Sequence, residues 1–299
     1  MEHSNLLAPR IADITGCTVV RCKTLSESAM AKVDLLELDR ATPLSAHPAE
    51  NSPPHNRVIA KQSQNGDAGI EGLMLRRLAK ISPIPYPAVL FCDDNLLVME
   101  YIAANGNAGQ SGLRDLAALL AAQHNVTAPD FGFDFDTLIG GLPQPNPATQ
   151  NWCDFFRDHR LLFMANCARK NGTLPGSLHH RLEKLCTKLG EFIPPDTKPS
   201  LLHGDLWGGN ILYHQGRLAA LIDPAVYFGD AETELAFGTL FGDLTADFFQ
   251  HYQQHRKIDP DFFVNRRDLY NLYPLLVHAR LFGGSYIHAI DRTLRQLQF

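Results

Sequence analysis

Two patterns of hydrophobic and polar positions divide the chain. Over the first hundred residues short extended runs predominate. Cys17–Lys23 alternates loosely in a β-branched manner, Lys32–Leu38 and Arg57–Lys61 are further strands, and Asn95–Ile102 reads as a buried one. One helix interrupts them, Ala68–Lys80, with Ile70, Leu73, Met74 and Leu78 at helical spacing on one face. Prolines at 43, 48, 53 and 54 make residues 39–56 an exposed loop, because proline removes a backbone donor and fixes φ. Pro83, Pro85 and Pro87 enforce an extended passage, and residues 105–112 form a linker rich in Gly and Asn. From Leu113 the period becomes helical. Leu113–His124, Asn151–Asn171, Leu178–Phe192, Ala231–Leu240, Thr245–His255 and Arg266–Leu281 are helices, broken by a turn-rich stretch over Leu201–Ile222. The expected fold is therefore α+β and two-lobed. A β-rich N-terminal lobe covers residues 1–103 and a larger helical lobe covers residues 104–299.

Composition narrows the function. The 299 residues are 45% hydrophobic and 20% charged, enough for a sizeable core. A formal charge of −5 without a basic tract argues against nucleic acid or an anionic membrane surface as partner. The longest purely apolar run, Leu116–Ala122, is too short to span a bilayer, and no secretory signal is visible at the N-terminus. Six cysteines without a Cys-x-x-Cys pair suit reduced thiols, so a cytoplasmic location is expected. The oligomeric state is left open, and a monomer is compatible with all of this.

The chemistry concentrates in Leu201-Leu-His-Gly-Asp-Leu-Trp-Gly-Gly-Asn210 and Leu221-Ile-Asp-Pro224. Asp205, Asn210 and Asp223 lie between short apolar strands at a spacing that suits phosphoryl transfer from a nucleotide. One carboxylate deprotonates the acceptor hydroxyl, while an amide oxygen and a second carboxylate hold Mg²⁺ on the phosphates. Each residue alone is also an ordinary turn former beside glycine, and the triplet together carries the reading. Upstream, Lys61 ends a strand and Glu71 lies in the next helix, the arrangement that presents a lysine to the α- and β-phosphates. Glu100, Tyr101 and Ile102 lie where exposed backbone groups can pair with an adenine edge. Other chemistries lack their parts. There is no Gly-x4-Gly-Lys-Ser/Thr loop and no His-Glu-x-x-His, and Gly283-Gly-Ser285 is followed by Ile at 287 where a nucleophile elbow needs glycine. A zinc hydrolase on His203 and Asp205 would need further clustered ligands that the sequence does not show.

His203-Gly-Asp-Leu-Trp-Gly-Gly-Asn210 with Ile222-Asp-Pro-Ala-Val-Tyr-Phe-Gly-Asp230 closely resembles the fructosamine/ketosamine-3-kinase family, which belongs to the protein-kinase-like superfamily with aminoglycoside and choline kinases. Glu232-x-Glu-Leu-Ala236, Gly140–Asn146, Asn151–Leu161, Leu272–His278 and Leu281–Gly284 look similar too, so the resemblance runs from about Ile59 to Tyr286. It implies ATP- and Mg²⁺-dependent phosphorylation of the sugar 3-hydroxyl of a ketosamine, a small molecule or glycated lysine, in deglycation repair. By position, Asp205 would be the catalytic base, Asn210 and Asp223 metal ligands, and Lys61 and Glu71 the phosphate-positioning pair, with Glu100, Tyr101 and Ile102 at the adenine. The resemblance places Trp207 and His278 in the substrate pocket, where an indole can hold a cationic amine by cation–π attraction.

The chain departs from the family in its first lobe. Where the family has a glycine-containing phosphate loop, Leu25-Ser-Glu-Ser-Ala-Met30 has no glycine, which bears on ATP affinity because backbone amides approach phosphates most closely where Cβ atoms are absent. Cys22 lies before this loop, so the redox-active cysteine of some relatives is not matched. Two alternatives stand beside a ketosamine kinase. One is a kinase of aminoglycoside or choline type, and the other is a non-catalytic nucleotide-binding regulator, which the glycine-less loop motivates.

Overall fold

The structure is a computed structural model that describes residues 4–28, 30–41, 56–106 and 108–299. It opens with a helix that the strand-and-one-helix expectation lacks, α1 (Ser4–Thr15). Leu7 and Ile11 lie one helical turn apart, and both are buried in a cluster with Leu36, Leu38, Val58, Ala60, Leu96 and Val98. The expected strands β1 (Val19–Glu27), β2 (Ala31–Leu38) and β3 (Arg57–Ser63) follow, then the expected α2 (Ala68–Ile81), an unexpected strand, β4 (Val89–Cys92), and the expected β5 (Leu96–Glu100). The proline-rich loop expected over 39–56 falls, from 42 to 55, outside the described residues. The five strands form one antiparallel sheet in the order β1-β2-β3-β5-β4.

Strand alternation decides what each side of β3 meets. Val58 and Ala60 pack into the α1 cluster, so Ile59 and Lys61 point to the other face. There Lys61 meets Glu71 of α2. The buried face of α2 is Ala68, Gly72, Met74, Leu75 and Leu78. Leu73, expected on that face, is 46% exposed. The reason is Gly72, which seats the helix so closely that a Cβ there would fall 2.5 Å from the Cβ of Cys92.

The remaining elements are α3 (Gln110–His124), β6 (Thr137–Ile139), β7 (Leu142–Gln144), α4 (Trp152–Phe156), α5 (Leu162–Lys170), α6 (Gly176–Cys186), β8 (Ser200–Leu202), β9 (Ile211–His214), β10 (Arg217–Leu221), β11 (Tyr227–Gly229), α7 (Ala231–Leu240), α8 (Ala246–Tyr252), α9 (Arg267–Phe282) and α10 (Ser285–Gln296). A π-helical turn, Arg157–Leu161, joins α4 to α5, so the long helix expected over 151–171 is one run with a widened middle. Three further antiparallel pairs form, β6–β7, β8–β11 and β9–β10. Among the described residues no helix is long and apolar enough to cross a membrane.

The chain divides into two compact units. One holds Met1–Asn107, Leu212–Gln215 and Ala219–Asp223; the other holds Ala108–Ile211, Gly216–Leu218 and Pro224–Phe299. The sequence boundary between 103 and 104 does not anticipate the two short returns to the first unit, which carry Asp223 into it. The core of the second unit is rich in rings: Trp152, Phe155, Phe156, Tyr227, Phe248, Tyr252, Phe262 and Tyr270 are all buried.

Because Ile11 is fully buried in the α1 cluster, Ile11→Ala is expected to lower unfolding stability by about 2–5 kcal/mol in a denaturant titration. A change below about 0.5 kcal/mol, the level of an exposed position, would show that α1 does not contribute to the fold.

Candidate active site

The first unit presents a charged trio. Lys61 Nζ lies 2.7 Å from Glu71 Oε2 and 2.9 Å from Asp223 Oδ1. The lysine and glutamate side chains are largely withdrawn from solvent, whereas the Asp223 side chain remains 44% exposed. Burial alone would lower the Lys61 pKa, but the two carboxylates outweigh it and hold the ammonium above the ordinary lysine range. Burial raises the Glu71 carboxyl to about 7, against the pull of Lys61 and with Asp223 adding to the rise. Asp223 has φ of +50°, a left-handed conformation that aspartate tolerates better than most side chains. Glu100 closes β5, and its Oε2 accepts from the Ala88 amide at 3.2 Å. Tyr101 and Ile102 follow it in irregular backbone, with the Arg57 guanidinium 4.7 Å from the Tyr101 ring centre.

The turn between β1 and β2 explains how a loop without glycine is built. Ser28 Oγ accepts from the amides of Met30, at 3.2 Å, and Ala31, at 3.1 Å. A serine hydroxyl thus satisfies amides of the kind that a glycine loop would turn towards phosphate.

The second unit carries the segment after β8. Asn210 is buried, and its Nδ2 donates to the Asp205 carbonyl at 2.8 Å and to Asp205 Oδ2 at 3.0 Å. That pair fixes the carboxylate rotamer, since one amide nitrogen spans both backbone and side chain of Asp205. Upstream, His203 is fully buried, and its carbonyl accepts from the Ala225 amide at 2.8 Å. Gly204 stands at φ +86°, and a Cβ on it would fall 2.0 Å from the Ala225 carbonyl oxygen. Only glycine fits there.

A buried carboxylate ties this loop to the helices. Glu234 of α7 accepts from the Gly204 amide at 2.7 Å and pairs with His124 Nε2 at 2.9 Å, while His124 Nδ1 bonds Tyr252 Oη at 2.7 Å. Burial lowers the His124 pKa despite Glu234. For Glu234 burial acts upwards, but bonds from His124 and Gly204 and the nearby His203 bring it below the usual carboxylate range. Glu234 is therefore an anion held by donors on both oxygens. His124 received no role from sequence, and Glu234 was legible only as part of a family block. The signal available for Glu234 was an acidic residue directly before the apolar run Leu235-Ala-Phe237.

Trp207 and His278 are brought onto one aromatic surface by Phe241, a residue that sequence reasoning missed. The Trp207 and Phe241 ring centres are 6.2 Å apart, Phe241 and His278 5.3 Å, and His278 and Tyr286 4.9 Å. Trp207 and Phe241 are exposed. His278 Nδ1 is 2.8 Å from the Pro274 carbonyl, and burial lowers its pKa, so it presents a neutral ring. The blocks at 140–146 and 151–161 serve as scaffolding instead. Gln144 Nε2 donates to the Ala225 carbonyl at 2.9 Å, Tyr273 Oη donates to Gln144 Oε1 at 2.7 Å, and buried Arg160 donates to Asn146 Oδ1 at 2.6 Å with its guanidinium 3.9 Å from the Tyr227 ring centre.

The donor types fit Mg²⁺ and nucleotide phosphates. Asp223 offers a half-exposed carboxylate, and Asn210, its amide nitrogen engaged by Asp205, has a hard oxygen as its other terminal atom. Among the described residues no group of three or more His, Cys, Asp or Glu is placed to hold a metal ion. Gly204→Ala is expected to lower stability by at least about 3 kcal/mol in chemical denaturation, because backbone must move and a φ of +86° is strained for alanine. Unchanged stability would mean that the loop is not held against Ala225.

The chain is similar to several known proteins. The fructosamine kinase family matches residues 63–298. A probable ketoamine kinase of Lactiplantibacillus plantarum is 31% identical over 282 residues, 91% of this chain and 99% of that one. The probable ketoamine kinase slr1563 of Synechocystis is 37% identical over 204 residues, 67% of this chain and 66% of its own. A solved structure from Thermobifida fusca, a candidate fructosamine-3-kinase, aligns with a TM-score of 0.83 at 28% identity over 99% of both chains. The aminoglycoside phosphotransferase APH(4)-Ia, solved with AMP-PNP and hygromycin B, aligns at 0.67 with 15% identity over 97% of this chain and 98% of its own, a likeness of fold alone. The chain belongs to the fructosamine kinase family and is an ATP-dependent phosphotransferase of protein-kinase-like fold.

Proposed function

We propose that the chain transfers the γ-phosphoryl group of ATP to the sugar 3-hydroxyl of ketosamines, ribulosamine or fructosamine adducts of amines, and so acts in deglycation. The observation that carries this reading is the Asp205 carboxylate, held by Asn210 two residues before the exposed indole of Trp207. Asp205 receives the proton of the acceptor hydroxyl as its oxygen bonds to the γ-phosphorus and the bond to the ADP oxygen breaks. Asn210 keeps that carboxylate in one orientation. Lys61, set by Glu71, takes the α- and β-phosphates, and Glu100, Tyr101 and Ile102 take the adenine edge. Asn210 and Asp223 are the residues that would hold Mg²⁺, which when bound neutralises charge on the phosphates. Trp207 and His278 wall the sugar and its amine. The phosphorylated adduct then breaks down and frees the amine, which makes the transfer a repair step.

ADP release from Mg·ATP with ribulose-lysine, fructose-lysine, an aminoglycoside and choline tests the acceptor. Turnover is expected on a ketosamine, and in Asp205→Asn, folded by circular dichroism, kcat should fall about 10²–10⁴-fold. A higher kcat/KM for the aminoglycoside or choline would reassign the acceptor. Undiminished turnover in the variant would remove Asp205 as base.

Because the Glu71 carboxyl lies near 7, it takes up a proton as the pH falls through that value, and Lys61 loses one of its two anionic partners. The kcat/KM for ATP is therefore expected to decline below about pH 7 in the wild type. Glu71→Gln should be low throughout and lack that inflection, which separates it from the titration of ATP itself. Superimposable pH profiles would sink this role for Glu71.

A further inference from the structure

Asp243 has no part in the roles assigned above, yet it lies against the loop that carries Asp205. It follows Phe241 and Gly242 at the end of α7, where Gly242 takes φ of +84° and turns the chain. A Cβ on Gly208 would lie 2.2 Å from Asp243 Oδ1 and 2.9 Å from its carboxyl carbon, so the carboxylate packs directly on that glycine. Its Oδ2 is buried with no hydrogen-bond partner among the described residues. An ionised carboxylate left in that state costs free energy until a donor reaches it.

An exposed aromatic surface beside it points to the kind of ligand. Gly208 adjoins Trp207, whose exposed indole meets the exposed Phe241 ring, itself two residues from Asp243. The neutral His278 extends that surface. An anion with an unsatisfied oxygen next to exposed π faces favours an organic cation, which gains a charge-assisted hydrogen bond from one and cation–π attraction from the other. Chain geometry sets the range. Gly208 lies three residues from Asp205, a reach of at most about 11 Å. In a ketosamine four bonds separate the 3-hydroxyl oxygen from the amine nitrogen, so the amine stays close to the residue that receives the hydroxyl.

We propose that Asp243 is the residue that selects acceptors bearing a protonated amine, its carboxylate pairing with the ammonium while Trp207 and Phe241 cover the flanking carbons. The proposal rests on the ketosamine reading of the acceptor. It makes the charge on the linking nitrogen, rather than the sugar alone, a determinant of specificity. Substrates would then be adducts of alkyl amines such as lysine, which are cationic at neutral pH, in preference to neutral glycosides or aryl amine adducts.

Calorimetric binding of fructose-lysine and of its ether analogue, oxygen replacing the linking nitrogen, tests this without requiring turnover. The lysine portion of each ligand is blocked so that the linking atom alone differs in charge. The wild type is expected to prefer the amine about tenfold or more, as a charge-assisted bond implies. Asp243→Asn, and independently Asp243→Ser, should bring the two affinities together and leave the KM for ATP unchanged. An unchanged preference, an equal loss on both ligands or no binding of the amine by the wild type would each overturn the proposal. An equal loss would mark Asp243 as a support of the loop. Selective binding without phosphorylation would leave Asp243 in place while the kinase reading for ketosamines fails.

Discussion

The side chain of Glu234 is the constraint on which the second unit's site depends. A carboxylate fully withdrawn from water is tolerated only when donors meet its oxygens, and here the Gly204 amide and the His124 imidazole do so. The bond to Gly204 pins the backbone immediately before Asp205. The close approach of Gly204 to Ala225 and the bond from the Ala225 amide to the His203 carbonyl hold the same segment from the other side. Asp205 thus sits on a backbone restrained at both flanks, with Asn210 fixing its side chain. The role proposed for Asp205 needs this, because a carboxylate free to rotate contributes little to a proton transfer that demands short, aligned contact.

The first unit solves a different problem, that of keeping an ammonium charged while largely out of water. Two carboxylates around Lys61 more than offset its burial, and Glu71 bears the cost in a raised pKa. The half-exposed Asp223 is the looser partner, with its backbone in a left-handed conformation. A carboxylate that neutralises Lys61 in the absence of ligand is also of the type that binds a divalent cation, so the trio is suited to exchange one cationic partner for another. In the glycine-less turn the Ser28 hydroxyl accepts from the Met30 and Ala31 amides.

Much of this was legible in the chain. The strand at Arg57–Lys61, the helix at Ala68–Lys80 and the residues Asp205, Asn210 and Asp223 follow from period and spacing, which are local properties. The misses share a cause, since each depends on what a side chain meets across the fold. Leu73 has ideal helical spacing but faces solvent, because Gly72 lets α2 approach Cys92 and rotates the packed face. In α1 Leu7 and Ile11 lie one turn apart, but only the sheet residues they pack against give this short segment a buried face. His124 and Glu234 are 110 residues apart and meet only in the folded chain.

What the sequence by itself determined is the family and the residue types it places along the chain: carboxylates at 205 and 223, an amide at 210, a lysine at 61 and a glutamate at 71. Tertiary structure alone decided which of these groups are buried, which are neutral and which are restrained. It set Lys61 between two carboxylates, gave His278 a neutral ring, joined Trp207 to His278 through Phe241, and left Asp243 with a buried, unpartnered oxygen. The physical reason is that residue identity supplies donors, acceptors and charges, whereas their energies depend on burial and on neighbours brought together from distant parts of the chain.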